Sequence, residues 1–321
     1  MPQTQTAYVA VAFAALIVVI WILAPVFMTP RNLLNISKNF SFIALMSLGE
    51  TLVIISGGID LSVGSVCALS AVVTMMLMRL LSATAAAQVP GATIALATLL
   101  ALALAALIGL VNGMLIARIR LSPFVTTLGM LSVARGMTYV LTQGRAQYPT
   151  GPDVAGFTRF ANGAVLGLPT QLVYLLVLAI RMALALRHLV WGRHLYAVGG
   201  NAQAAALTGV RVPRVVVSVY ALSGLAAGFS GVLIAGWLGA APANLATGYE
   251  LRVIAAAVIG GANLAGGAGG AAGAVIGAAL IEVIRNGFVL IGANSYWEEV
   301  FVGVIIIIAV LVDQLRTRRV F

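Results

Sequence analysis

The apolar residues of this chain fall into long runs that separate at Pro, Gly and Arg clusters. The first runs from Tyr8 to Phe27 and ends at Met28-Thr29-Pro30-Arg31. The second, Phe40 to Ile55, is short and breaks at Ser56-Gly57-Gly58, and the third, Leu61 to Leu81, starts with Asp60 as its N-cap. Ala92 to Ala117 ends at Arg118 and Arg120, and Ser122 to Thr142 gives way to a polar stretch, Gln143 to Pro169. Thr170 to Leu186 precedes the largest basic loop, Arg187 to Arg214. Val215 to Ala235 follows, then a run that begins near Glu250 and dissolves into glycine by Gly266. Gly270 to Ile291 is the ninth, and Tyr296 to Val312 leads into Asp313 and a tail with Arg316, Arg318 and Arg319.

These runs predict an all-α polytopic membrane protein of about ten transmembrane helices, with broken helices, forming one transmembrane domain over residues 1–321. The composition agrees. Hydrophobic residues are 62% of the chain and charged ones 8%, against roughly 45–50% and 25% in a soluble domain. A water-soluble enzyme is excluded. Dividing the apolar residues by the ~20 that each span needs again gives about ten spans. No Lys or Arg precedes Arg31, so the first run lacks the basic start of a cleaved signal and reads as a retained helix.

Charge sets the orientation. With the N-terminus cytoplasmic, the inner segments hold Arg118, Arg120, Arg187, Arg193, Arg211, Arg214, Arg316, Arg318 and Arg319. The outer ones hold Arg31, Lys38, Arg79, Arg145 and Arg159. An inner excess is the sign of a multi-pass membrane chain with both termini cytoplasmic. The net charge of +10 thus reads as topology signals facing lipid and not as a nucleic-acid surface. Helices two to five and seven to ten, about residues 40–142 and 215–312, are expected to be inverted repeats on segment count alone.

Several chemistries fall away. Cys67 is the one cysteine, and His188 and His194 stand six apart, off the i, i+3 or i+4 spacing of ligands on one helix face, so no metal site is expected. Lys38 is the one lysine and has no glycine before it, so the chain has no Walker A motif. No cofactor is expected, and any ATP is bound by another polypeptide. An intramembrane enzyme lacks a nucleophile and base.

Three stretches exceed what hydrophobicity explains. In Leu48 to Ser65 a broken backbone, carboxylates and hydroxyls stand together: Glu50, Thr51, Gly57, Gly58, Asp60, Ser62 and Gly64. Such breaks are tolerated within a membrane only where buried in protein or lining a water-filled cavity. Asp60 itself reads first as a helix cap. In Trp191 to Val210, Asn201 suits an N-cap, Ala202 to Thr208 forms helix, and Gly209 suits the position after it, which predicts a short apolar helix on the cytoplasmic side. An exposed apolar helix needs either a partner or the bilayer surface. In Ile259 to Gly270, Gly267-x-Gly269-x-x-Ala272 matches a dinucleotide fingerprint only formally. Gly269, Gly273 and Gly277, spaced by four, predict a smooth helix face for close packing.

In this order, the stretches resemble the sugar permeases of bacterial ATP-binding-cassette importers, the ribose-type inner-membrane subunits. Ser56-Gly57-Gly58-Ile59-Asp60-Leu61-Ser62-Val63-Gly64-Ser65 is similar to that family's most specific signature. Pro123 to Gly129, Gly192 to Gly209, Gly248 to Leu251, the glycine-rich stretch and the ending Ala309 to Asp313 support it, so the likeness spans about Asn32 to Asp313. It implies a homodimer standing on two cytoplasmic ATPase domains and fed by a periplasmic sugar-binding protein. Glu50, Thr51, Gly57, Gly58, Asp60, Ser62 and Gly64 would border or shape the pathway. The loop carrying Gly192, Arg193, Gly199, Gly200, Asn201, Ala204, Ala205 and Gly209 would be the coupling helix seated in the ATPase. Glu50, and the charged pair Glu282 and Arg285, depart from relatives that are often uncharged there. They leave the solute open. A second class is a proton-coupled carrier relaying through Glu50, Asp60 and Glu282.

The other membrane charges are read singly. Glu282 and Arg285, three apart, neutralise each other. Arg135 has no local partner and is expected to reach Glu50 or Asp60. Glu250 and Arg252 sit near the outer end of their helix, where water is close. Glu298 and Glu299 lie at the outer surface, and Arg181 snorkels.

Overall fold

A computed structural model describes residues 14–292 together with Trp297, Val300, Gly303, Val304 and Ile307. The elements run α1 (Ala14–Leu23), a 3-10 turn (Pro25–Met28), α2 (Pro30–Ile55), α3 (Val63–Leu81), α4 (Ala92–Ala117), α5 (Pro123–Thr142) and α6 (Val154–Asn162). A two-residue hairpin, β1 (Ala164–Val165) and β2 (Leu168–Pro169), leads to α7 (Thr170–His188), α8 (Val190–Gly200) and α9 (Ala202–Leu207). Then come α10 (Val212–Leu238), α11 (Tyr249–Ile259) and α12 (Ala271–Leu290).

Among the described residues seven helices are long and apolar enough to cross a membrane: α2, α3, α4, α5, α7, α10 and α12. The tenth expected run, the tail arginines, Glu298 and Glu299 lie outside the described residues, as does the start of the first run. The eighth run gives α11, only 11 residues, about 16 Å long, because the glycines that follow end it early.

The bundle is built around α2, 83% of whose apolar window is buried, while α4 and α5 bury 22% and turn their remaining faces outward. Small residues set the tightest contacts. Ala97, Ala101, Ala105, Gly109 and Gly113 form one buried edge of α4, which lies against α10. No side chain fits at Gly109, whose Cα faces the Tyr220 carbonyl, or at Gly224, which faces that of Ala105. Backbones approach this closely only where side chains are minimal, the usual route to helix association in lipid. α11 and α12 meet the same way at Gly260, Gly273 and Gly277. Gly273 and Gly277 line the face that meets the α11 backbone. Gly269 is not on it: α12 begins at Ala271, so Gly269 belongs to the preceding loop.

Two boundaries differ from expectation for identifiable reasons. α2 begins at Pro30, ten residues before the apolar run, because Pro30 suits the first helical turn and the early polar residues have partners. Asn32 and Asn286 of α12 exchange amide hydrogen bonds of 2.9 and 3.0 Å, and Lys38 donates to Asn162 at 3.1 Å. The polar stretch 143–169 holds α6, whose start is tied to the α3–α4 connection by Asp153, which accepts from the Gly91 amide at 3.0 Å and from the Thr93 hydroxyl.

Candidate functional site: the α2–α3 elbow and its contact with α8

α2 ends as its sequence dictates. Gly57 takes a left-handed conformation (φ 85°), and the amides of Gly57 and Gly58 return to the carbonyls of Ile54 and Val53 at 2.9 and 3.0 Å. This is the Schellman arrangement, which satisfies carbonyls that a helix end leaves open. The last carbonyl, that of Ile55, accepts from the Gly267 amide at 2.9 Å, so a distant loop completes the cap.

Beyond the cap the chain folds into a hydrogen-bonded elbow. Asp60 Oδ1 accepts from the Ser62 amide (3.0 Å) and hydroxyl (2.6 Å), while Oδ2 accepts from Ser223 Oγ of α10 at 3.0 Å. Ser62 Oγ in turn accepts from Asn112 Nδ2 of α4 at 3.1 Å. The Ile59 carbonyl receives the Tyr220 hydroxyl at 3.2 Å and the Thr127 hydroxyl at 3.4 Å. One short segment thus fastens α3, α4, α5 and α10. Ser223 stands eleven residues into α10, about 16 Å from its start, so the elbow lies at membrane depth. There, broken backbone requires such internal partners.

Glu50 Oε1 accepts the Asp60 amide at 3.1 Å. Glu50 Oε2, Thr51 Oγ1 and Asn112 Oδ1 have no hydrogen-bond partner among the described residues. Of the seven elbow residues expected to border a pathway, only Gly57 is exposed, and the others are buried. Gly58 lies under Tyr220, and Gly64 has no room for a side chain beside Glu250 and Ala246. Asp60 is not the N-cap of α3. That position is Ser62, because Asp60 spends its carboxylate on the turn before the helix and on α10.

The second stretch is more helical than expected. Gly192, Arg193, Gly199 and Gly200 lie in α8, and Gly192 packs against Leu186 at the turn from α7. Asn201 caps α9 as expected, its side chain accepting from the Ala204 amide at 2.9 Å. Gly209 ends it at φ 87°, with its amide on the Ala206 carbonyl at 3.0 Å. The α9 surface is exposed, including Ala204 and Leu207, the latter 91% accessible. Ala205 is the exception. It is buried in a cluster with Leu52, Leu195, Val198 and Val215.

The third stretch joins the other two. Gly199 lies against both the Ile55 carbonyl and the Gly267 amide with no space for a methyl group. Tyr196 donates its hydroxyl to the Gly269 carbonyl at 2.8 Å, and the backbones of Gly266 and Gly267 abut Gly199 and Gly200. The glycine-rich loop is thus a wedge between α8 and the end of α2. Nothing in the sequence spacing announced this contact. Tyr220, Asn112 and Ser223 were likewise missed, although the period-four small residues of α4 were a visible signal.

The charged residues resolve in part as expected. Arg285 grips Glu282 through Nε at 2.8 Å and through Nη2. Arg135 reaches neither Glu50 nor Asp60. Its Nη1 donates to the carbonyls of Ala243 (3.3 Å) and Leu245 (2.7 Å), in the α10–α11 connection, which is nearer. Arg252 stacks over the Tyr249 ring, 5.5 Å from its centroid. Among the described residues no group of three or more His, Cys, Asp or Glu side chains stands in reach of one metal ion.

Comparison with known proteins places the chain in a family. The family described as branched-chain amino acid transport system / permease component matches residues 32–310. The ribose import permease protein RbsC of Escherichia coli (strain K12) is 38% identical over 309 residues, covering 95% of this chain and 92% of that protein. The galactose/methyl galactoside import permease protein MglC of the same strain is 36% identical over 316 residues, covering 96% and 94%. A probable ABC transporter permease protein, y4mJ of Sinorhizobium fredii (strain NBRC 101917 / NGR234), is 38% identical over 312 residues, covering 97% and 90%. No solved structure matches the chain. A helical bundle with seven candidate spans and a family match over residues 32–310 make this chain a multi-pass membrane protein that belongs to that transport permease family.

Proposed function

We propose that the chain is the membrane-spanning subunit of an ATP-driven importer in the bacterial inner membrane, with both termini cytoplasmic. It works as a homodimer and takes a monosaccharide-like solute from a periplasmic binding protein. A separate cytoplasmic ATPase supplies the work, and no residue of this chain performs chemistry. The names of the relatives RbsC and MglC support a sugar as the solute.

The observation that carries this reading is the α8–α9 pair: an exposed helix without charge, mounted on a helix whose glycines press on the end of α2. A secondary carrier has no use for such a fitting. Closure of the ATPase would draw on α9, and α8 would shift the glycine loop and the Ile55 carbonyl with it. The elbow, tied to α3, α4, α5 and α10, would then follow, favouring one packing of the bundle over another. Glu50, Thr51 and Asn112 keep unpartnered acceptor oxygens inside the closed elbow, which only a repacked bundle would present to a hydroxyl-rich solute.

The proton-relay alternative is less well supported, since Asp60 is engaged by Ser62 and Ser223, and Glu282 by Arg285 in a separate place. Uptake of labelled ribose and galactose into vesicles holding this chain, its ATPase and its binding protein tests the reading. Accumulation is expected only with ATP. Accumulation driven by a proton gradient without the ATPase would overturn it.

A further inference from the structure

A cavity of about 730 Å³ opens between α2, α7 and α10, and Trp191 of α8 is among its lining residues. Its walls are aliphatic and aromatic, with Leu48, Val177, Leu222 and Phe229 among them. One charged residue lines it, Arg181 of α7. Arg181 is exposed and makes no hydrogen bond or ion pair among the described residues. Cations set away from the ends of other spans have partners: Arg135 holds carbonyls, Arg285 holds Glu282, and Lys38 holds Asn162, whereas Arg31, Arg79 and Arg214 stand in end turns. A cation on the apolar face of a span costs several kcal/mol unless something answers it, so Arg181 asks for an anion from outside the chain.

The position says which anion. Arg181 stands seven residues before the end of α7, about 10 Å, within reach of a side chain that extends toward the membrane surface. The same end of the bundle carries Arg187 and His188 in the last turn of α7 and Arg214 at the start of α10. Trp191 marks that level, its indole N–H donating to Ser218 Oγ at 2.8 Å. Basic pockets between membrane helices at this depth suit acidic lipid headgroups. The walls suit the tail: Leu48, Val177, Leu222 and Phe229 offer an apolar surface for an acyl chain.

We infer that this groove is a binding site for one anionic phospholipid, with an acyl chain along α2 and α10 and the headgroup phosphate on Arg181. The site is independent of which solute the protein carries and of what powers it.

Native mass spectrometry of the full chain, loaded in detergent with phosphatidylglycerol or phosphatidylcholine, tests it. The wild type is expected to retain one phosphatidylglycerol and to hold phosphatidylcholine about tenfold less tightly, because the choline cation beside the same phosphate offsets the charge that Arg181 answers. Arg181→Gln should lose that preference, Arg181→Lys should keep most of it, and Arg145→Gln, on a distant loop, should change nothing. Equal retention of the two lipids, or unchanged phosphatidylglycerol binding in Arg181→Gln, would overturn the inference. So would efficient disulfide linkage between two copies of Val177→Cys in vesicles, because a second copy would then fill the groove.

Discussion

Gly199 of α8 and Ile55 of α2 are 144 positions apart in the chain, yet their backbones touch so closely that a single methyl group at 199 would collide with the Ile55 carbonyl. That carbonyl is also the acceptor for Gly267, so one oxygen at the end of α2 is where three separate stretches meet.

Tyr196→Phe removes the hydroxyl that holds the Gly269 carbonyl and leaves the ring in place. The expected loss is about 1 kcal/mol, the usual net worth of such a bond, with a correspondingly lower thermal midpoint of the purified protein. Gly199→Ala should cost more, about 1–3 kcal/mol, since neither neighbour is a flexible side chain that can yield. A Gly199→Ala midpoint equal to wild type would show that α8 moves away freely.

Asp60→Asn keeps an acceptor for the Ser62 amide and hydroxyl and presents a donor to Ser223, whose hydroxyl can turn to accept it. Asp60→Ala leaves three buried donors without an acceptor. At about 1–3 kcal/mol for each group left unpaired, Ala should be far the more damaging of the two. Denaturant unfolding of both variants checks the order, and equal effects would refute the elbow as described.

Gly109→Leu should abolish folded protein, because Tyr220 and Ala221 of α10 fill the space, whereas Gly129→Leu on α5 meets open space and should fold. Monodisperse yield after detergent extraction separates them.

Much of this was legible in the residues. The capped short helix at Asn201 to Gly209, the break at Ser56-Gly57-Gly58 and the Glu282–Arg285 pair are local features, set by neighbours within a few positions. What failed was long-range. Arg135 found carbonyls of the α10–α11 connection where a carboxylate was expected, and Asp60 was taken up by α10. Ala205, which looks like any alanine of a surface helix, is the one that faces inward. The start of α2 was hidden for a related reason: Asn32 reads as a surface residue until its amide partner Asn286, 254 positions away, is in view.

Asp153 lies outside the spans, and the Thr93 hydroxyl and the Gly91 amide hold its carboxyl below the ordinary carboxylate range. A lowered folded value means that its contribution is present above an unfolded value of about 3.9 and is lost as pH falls through the folded one. Wild-type stability should therefore decline below about pH 4, and Asp153→Asn should show a shallower decline over that window. Identical acid profiles would remove Asp153 from the account.

The most direct test is import measured together with ATP hydrolysis in Gly200→Trp and Leu207→Glu, in vesicles holding the partner ATPase and binding protein. Both positions are exposed, and a side chain at 200 starts into open space on the side away from Gly267, so both variants should fold and insert. In both variants solute import is expected to fall about tenfold or more while ATP hydrolysis continues, so that each solute moved costs more ATP than in the wild type. Import at the wild-type rate in both variants would contradict the coupling role of α8 and α9.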